Sequence, residues 1–321
     1  MNKCLFIVLS IVCPVSFLTT QVFAHGVLGK RFIPSTLTLE DPFPSDEMDL
    51  LSIARGSKNK EGRETGVGFE FSKRLTPDFA LGVEWEYLFV EPREAEARRT
   101  SGAGNPEFSA KYSVLRSVEH EGILSLGFGV EPGGIGSKRV AERVTTLTPA
   151  LLFGKGLGDL PDSLNYLKPL AITGSLGVNI PTRRRTVTKT IDEFGEIERE
   201  TERHPTTIAY GIAVLYSIPY LQSAVKDVGL GAPFDRLFPL VEFDFETPVS
   251  GPDKRRTTAF ANPGLIWAGR YVQLGLEAQV PMNGFSGKNV GVKGLIHLFI
   301  DDLWPNVFTW TPGGVIGPTS R

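Results

Sequence analysis

The stretch Phe79-Ala80-Leu81-Gly82-Val83-Glu84-Trp85-Glu86-Tyr87-Leu88-Phe89 carries two different faces. Phe79, Leu81, Val83, Trp85, Tyr87 and Phe89 fall on one, while Ala80, Gly82, Glu84 and Glu86 fall on the other. Side chains of a β-strand alternate at a period of two, so this is a strand with an oily side and a small, acidic side.

The pattern recurs on both sides of that stretch. Val67, Phe69 and Phe71 oppose Gly68, Glu70 and Ser72, and Phe108, Ala110, Tyr112 and Val114 oppose Glu107, Ser109, Lys111 and Ser113. Similar segments run through Leu124–Val130, Leu170–Asn179, Ile208–Tyr216, Val241–Glu246 and Val272–Val280. Weaker alternation marks Met48–Arg55, Val144–Phe153, Thr257–Ala268 and Asn289–Ile300. The total is twelve, an even number, as single-chain bacterial outer-membrane barrels have.

A soluble β-sandwich alternates in the same way. A chain of this length built as sandwiches would divide into separate cores, however, and no linker interrupts this one. Tyr87, Phe89, Tyr210, Tyr216, Trp267 and Tyr271 gather toward strand ends, where interfacial girdles form. The expected fold is therefore all-β: a transmembrane antiparallel β-barrel of about 12 strands with short helical periplasmic connections.

The N-terminus agrees with that destination. Lys3, the apolar run Leu5–Leu18 and Val22-Phe23-Ala24 read as a removable export signal over residues 1–24, too short and too interrupted by Pro14 to span as a helix. Cys4 and Cys13 are the two cysteines, so the remaining chain contains none for a disulfide. Residues 25–47 carry Pro34, Pro42 and Pro44 without any period, and read as an arm on the periplasmic side or folded into the pore. The barrel is expected over 48–300 and a tail over 301–321. Localisation in the outer membrane of a Gram-negative bacterium follows, with outer-membrane lipid, lipopolysaccharide and the barrel assembly machinery as partners.

With both termini in the periplasm, the turns near Thr76-Pro77, Val118–His120 and Gly269-Arg270 are periplasmic and short. Glu91–Gly104, Pro132–Glu142 and Pro181–Pro205 are then outward loops, longer and more charged. Two long periplasmic connections, Gly156–Lys168 and Tyr220–Asp235, contain helix-like runs, the first offering Asp162 or Ser163 as a cap.

The inward faces have a consistent sign. Glu70, Glu84, Glu86, Glu107, Glu242, Asp244, Glu246 and Glu277 project into the expected lumen, with Lys111, Lys293 and His297 as the basic or imidazole groups beside them. Such a lining favours cations if the acids are ionised and unpaired, and fills the lumen if arginines from the arm or loops pair with them. The expected function is passage of small solutes through a narrow, acidic-lined barrel, with a closed structural or surface-binding barrel as the alternative. In the outward loop Pro181–Pro205, Arg183, Arg184 and Arg185 stand beside a Thr-rich alternation and a Phe194-Gly195 turn. That reads as a protruding hairpin, a solvated one or one that meets lipopolysaccharide phosphates.

Catalysis and cofactors find little support. His120 is followed by Glu-Gly, His204 by Pro-Thr and His297 by Leu-Phe, so the histidine with a serine two residues later used by the outer-membrane phospholipase is missing. His25, as a new N-terminus, has the amine and imidazole of a copper chelate, but no neighbouring histidine joins it. No cofactor, metal or nucleic-acid partner is expected, the formal net charge of −2 offering nothing to a phosphate backbone.

Asn262-Pro263-Gly264-Leu265, a tight turn and Leu274-Gly275-Leu276-Glu277-Ala278-Gln279-Val280-Pro281 resemble the outer-membrane transporter family related to the phenol meta-degradation pathway protein. The resemblance covers Met48 to Ile300 and implies a barrel that passes small hydrophobic or organic compounds. It brings no defined site residues. The tail through Trp304 and Trp310 departs from barrels that end on a strand with a terminal aromatic.

Overall fold

The computed structural model describes residues 26–59, 62–93, 98–191, 197–308, 310–311 and 314–315. The export signal, His25 and the Phe194-Gly195 turn lie outside the described residues. Twelve long strands form the wall. They are β1 (Glu47–Arg55), β2 (Gly62–Thr76), β3 (Phe79–Pro92), β4 (Glu107–Ser117), β5 (Gly122–Glu131) and β6 (Thr146–Gly156). The second half comprises β7 (Leu170–Pro181), β8 (Thr207–Tyr216), β9 (Leu237–Pro248), β10 (Thr258–Ala268), β11 (Val272–Pro281) and β12 (Gly291–Phe299).

Each strand pairs antiparallel with its sequence neighbours, and β12 closes the ring on β1 through Leu295↔Ser52 and Phe299↔Glu47. Strands of 9 to 15 residues are long enough, since a tilted spanning strand needs about 9–11. Closure leaves no open edge, the condition for strands in hydrocarbon.

The oily faces point outward. Trp85 is 54% exposed, Tyr112 50% and Leu276 62%, and Phe69, Leu81, Phe108, Leu126 and Phe128 share that face. An aqueous surface does not carry apolar area on this scale; a lipid-facing one does.

The four segments of weak alternation have identifiable causes. In β1 a bulge between Asp49 and Ser52 inserts an extra residue, which breaks the period. In β6, β10 and β12 the inward face itself carries apolar residues: Leu152, Ile266, Leu295 and Phe299 are all buried. These pack inside the barrel, so both faces read as oily.

The outward loop Glu91–Gly104 contains a strand the alternation did not reveal, Thr100–Ala103, which pairs with the outer half of β3 where β4 has not yet begun. The 185–203 hairpin forms as expected, Arg185–Ile191 pairing with Ile197–Arg203. The periplasmic connections carry a 3-10 turn at Asp162–Leu167 and a short helix at Ile218–Tyr220. The capping expectation is corrected: Pro161 stands at the cap and Asp162 instead pairs with Lys168 at 2.7 Å. Ser217 is the residue whose hydroxyl caps a helix, accepting from the Tyr220 N–H. After β12 the chain turns through Ile300–Leu303 and Pro305–Phe308, both short helices.

Candidate functional site

The arm enters the barrel from the end that carries the Gly156–Lys168 and Tyr220–Asp235 connections. Arg31 fastens it there: its Nε donates to Glu121 at 2.7 Å, its Nη atoms to the carbonyls of Pro169 and Lys168, and its guanidinium lies over the Tyr220 ring at 4.1 Å. Arg31 is fully buried. Removing one member of a buried pair strands the other, so Arg31→Ala is expected to cost about 3–5 kcal/mol. A fall in the urea midpoint of the refolded barrel, with faster proteolysis of the arm, would show it.

From Arg31 the arm climbs to a tip at Thr36–Glu40. The backbone N–H groups of Leu37, Thr38 and Leu39 all donate to the Glu242 carboxylate, at 2.8, 3.1 and 2.9 Å. Glu242 is 0% exposed, so these donors replace the water its charge would otherwise hold. Thr38 Oγ1 donates to Glu277 at 3.0 Å and accepts from Lys293 at 2.7 Å and from Asn262 at 3.2 Å. Asn262 also donates to Asp244 at 2.6 Å, and the Gln273 side chain donates to the Ser35 carbonyl at 2.7 Å.

Apolar packing accompanies that polar clasp. Leu39 packs with Ala213, Leu215, Phe238, Leu240 and Ile266, with Phe32 and Leu37 against the same cluster. Gly211 and Gly275 make room: a Cβ on Gly275 would lie 2.6 Å from a Leu37 methyl, and one on Gly211 would meet both Leu39 and, at 2.7 Å, the Phe243 carbonyl. Gly211→Ala is expected to destabilise by about 1–3 kcal/mol, the usual cost of overpacking, read from the unfolding midpoint.

Beyond the tip the arm descends to β1. Lys111 reaches Glu40 at 3.3 Å and Asp41 at 3.5 Å, Ser125 donates to the Pro42 carbonyl at 2.6 Å, and Lys73 meets Asp46 at 2.5 Å. His297 is buried below the row of inward acids, Nδ1 at 2.6 Å from Asp49 and Nε2 at 3.5 Å from Glu47.

Above the tip lies a cavity of about 290 Å³, lined by Thr36–Glu40 of the arm and by Asp49, Glu70, Glu84, Glu86, Glu107 and Lys293 of the wall. A second, of about 280 Å³, shares Glu84, Glu86 and Glu107 and adds Glu64, Glu131 and Glu142 nearer the outer mouth. The register makes the acidity sharper than composition does. Asp49 pairs with Glu70, Glu70 with Glu84, and Glu84 with Glu107, so four carboxylates occupy one unbroken row across β1, β2, β3 and β4. Like charges directly opposite one another destabilise a sheet, so the row is carried against stability.

The inward acids thus divide into two sets. Glu70, Glu84, Glu86 and Glu107 line the open chamber, whereas Glu242 and Glu277 hold the arm and Asp244 bonds Asn262 beside it; Glu246 sits exposed toward the outer end of β9. Asp49, Glu40 and Glu242's donors were missed as site residues, since nothing in an isolated strand pattern shows which residues a bulge or an inserted arm will bring together.

Outside the membrane, Arg183, Arg184 and Arg185 are exposed at the base of the hairpin. His204 is buried beside Thr186 and Glu142. Partial desolvation and then the Glu202 carboxylate push the Glu142 carboxyl above its ordinary value. His120 is exposed, 3.4 Å from Asp159.

An outer-membrane channel from Pseudomonas putida F1 superposes with a TM-score of 0.54 at 10% identity, over 83% of this chain and 99% of that one. The chain has the fold of an outer-membrane β-barrel. The NanC porin (TM-score 0.43, 9% identity, 78% of this chain and 98% of that one) is a weaker likeness. So is the Escherichia coli outer membrane phospholipase A (0.35, 11%, 82% and 94%). At these identities the likeness establishes the fold alone. No protein-family model and no curated protein matches the sequence.

Proposed function

We propose that the protein is a passive channel, without catalytic activity, through which small cationic or polar solutes cross the outer membrane. The observation that carries this reading is the row Asp49, Glu70, Glu84 and Glu107 facing a chamber whose lining contains Lys293 as its base. Water in the chamber and low-dielectric walls around it focus the field of these groups on whatever enters, raising local cation concentration and excluding anions. The arm does not neutralise the row. Its arginine is committed to Glu121 at the rim, and its tip contributes Glu40 to the same lining.

The solute path is then an acidic antechamber open toward the outer face, narrowed below by the docked arm. Small organic solutes, as the resemblance to the phenol-degradation family implies, fit a chamber of this volume better than oligosaccharides or peptides. In planar bilayers, the purified folded protein should give discrete steps of small conductance, with a reversal potential of cation-selective sign under a KCl gradient. Absence of steps, or an anion-selective sign, would remove the proposal.

A second reading has its own support. The arm fills the inner half of the lumen through polar and apolar contacts together, which suits a closed barrel that acts through its outer loops. Under it the protein is silent in bilayers as long as the arm is docked.

A further inference from the structure

The outer surface holds a cluster that the channel reading does not use. Glu142, Glu202 and His204 present one ligand atom each, all within 4.8 Å of one another. They come from two separate loops. Thr186 and Glu202 are cross-strand partners in the 185–203 hairpin, and His204 follows two residues on, with its N–H donating to the Arg184 carbonyl at 3.0 Å. Glu142 belongs to the loop between β5 and β6, where its carbonyl accepts from the Asn105 side chain at 2.9 Å and from the Gly134 N–H at 2.8 Å. Both backbones are therefore fixed, and the cluster is the place where they meet.

The imidazole is buried and held in one orientation. His204 is 9% exposed, and its Nε2 lies 2.9 Å from Thr186 Oγ1. With Nε2 donating to that hydroxyl, Nδ1 presents its lone pair toward Glu142 Oε2, 3.5 Å away. That separation is too long for a hydrogen bond. It matches the edge of a tetrahedron around a zinc ion, about 3.4 Å for bonds of roughly 2.0–2.1 Å. An outer group that orients a ligating histidine through its other nitrogen is the usual companion of such a site. Hydroxyl, imidazole and carboxylate also follow the order of an acyl-transfer triad, but there the carboxylate must hold Nδ1–H at hydrogen-bond distance. Here a second carboxylate, Glu202, converges on the same point.

We infer that Glu142, Glu202 and His204 form a site for a zinc-class divalent cation that clamps the hairpin onto the β5–β6 loop. One nitrogen and two carboxylate oxygens suit zinc, with water as the fourth ligand, better than calcium, which takes oxygen ligands throughout. Thr186 is a positioning residue. Because Glu142 also lines the upper cavity, the clamp fixes the hairpin beside the outer mouth.

The test uses zinc chloride with full-length, metal-stripped, detergent-folded protein above neutral pH. Calorimetry should show saturable one-to-one binding, weakened about tenfold or more in His204→Ala, in Glu202→Gln and in Thr186→Val. Glu70→Gln/Glu84→Gln/Glu107→Gln should bind zinc unchanged, which separates this site from the lumen. Zinc should also slow trypsin cleavage at Arg183–Arg185 and Arg203 in the native sequence but not in Glu202→Gln, the folded state of each variant being checked by heat-modifiable migration. No zinc binding, equal binding in His204→Ala, loss in the lumen triple variant, or an unprotected hairpin at saturating zinc would each overturn the inference. None of these results depends on whether the barrel conducts.

Discussion

Converting Glu70, Glu84 and Glu107 together to glutamine should lower the potassium-to-chloride permeability ratio several-fold while leaving a barrel that is harder to unfold. The two effects have one cause. Along the row Asp49, Glu70, Glu84 and Glu107, each of the three successive pairs in register is carboxylate against carboxylate, so each charge raises the energy of the next. Neutral glutamine keeps the shape of the side chain and its hydrogen-bonding capacity. It should recover about 0.2–1 kcal/mol for each like-charge contact removed. The same change removes three of the six carboxylates that line the chamber and so weakens the field that enriches cations. Gain of stability with loss of selectivity is the pattern of a site kept for function at the expense of the fold. Reversal potentials and urea midpoints measured on the same preparation check both halves. Unchanged selectivity with higher stability would mean that the row is not on the solute path.

Glu242→Ala should release the arm and raise single-channel conductance several-fold. Three backbone N–H groups converge on that one carboxylate, and a hydrogen bond to a charged group contributes about 1.5–3 kcal/mol. No other wall residue holds the tip with three main-chain contacts among the described residues. Without it, Leu37 and Leu39 keep their apolar packing but lose the register that seats Thr38 between Glu277, Lys293 and Asn262. The barrel wall is closed independently of the arm, so heat-modifiable folding should persist. Larger steps in bilayers, together with protease cutting within residues 33–46, are the expected observations. Steps of native size would show that the arm does not set the width of the path.

Much of the wall was legible because its cause is local. Phe79–Phe89 alternates because lipid and lumen demand opposite side chains at successive positions, and eleven further segments answer the same demand. The strand ends were less visible: β2 runs on through Gly62–Arg63 and Lys73–Thr76, where polar residues beyond the bilayer continue the ladder. The arm's place was open in the sequence because its signals are distributed. Gly211 and Gly275 read as ordinary small inward residues, and Ile266 and Phe238 break the alternation, until Leu37 and Leu39 fill the space beside the glycines and pack on that apolar cluster. For the same reason the acids appeared as one group. Only the register and the arm separate Glu84 and Glu107, which face the chamber, from Glu242 and Glu277, which hold the plug. Asp49 was hidden by the bulge that follows it. Glu202 and His204 carried a signal in their spacing, two residues apart where one hairpin strand ends, but Glu142 joins them from a loop 60 residues earlier, a distance no local pattern spans.

The most direct test joins the arm and the wall reversibly. Thr38 and Asn262 touch at 3.2 Å, and the sequence has no cysteine beyond Cys13, so Thr38→Cys/Asn262→Cys in the Glu242→Ala background gives a clean pair. Under oxidising conditions the bond should form in the folded barrel and hold conductance at the native level. Adding reductant to the same bilayer should then raise each step to the Glu242→Ala value. A pair that fails to cross-link, or a conductance indifferent to reduction, would contradict an arm docked inside the lumen as the element that sets the solute path.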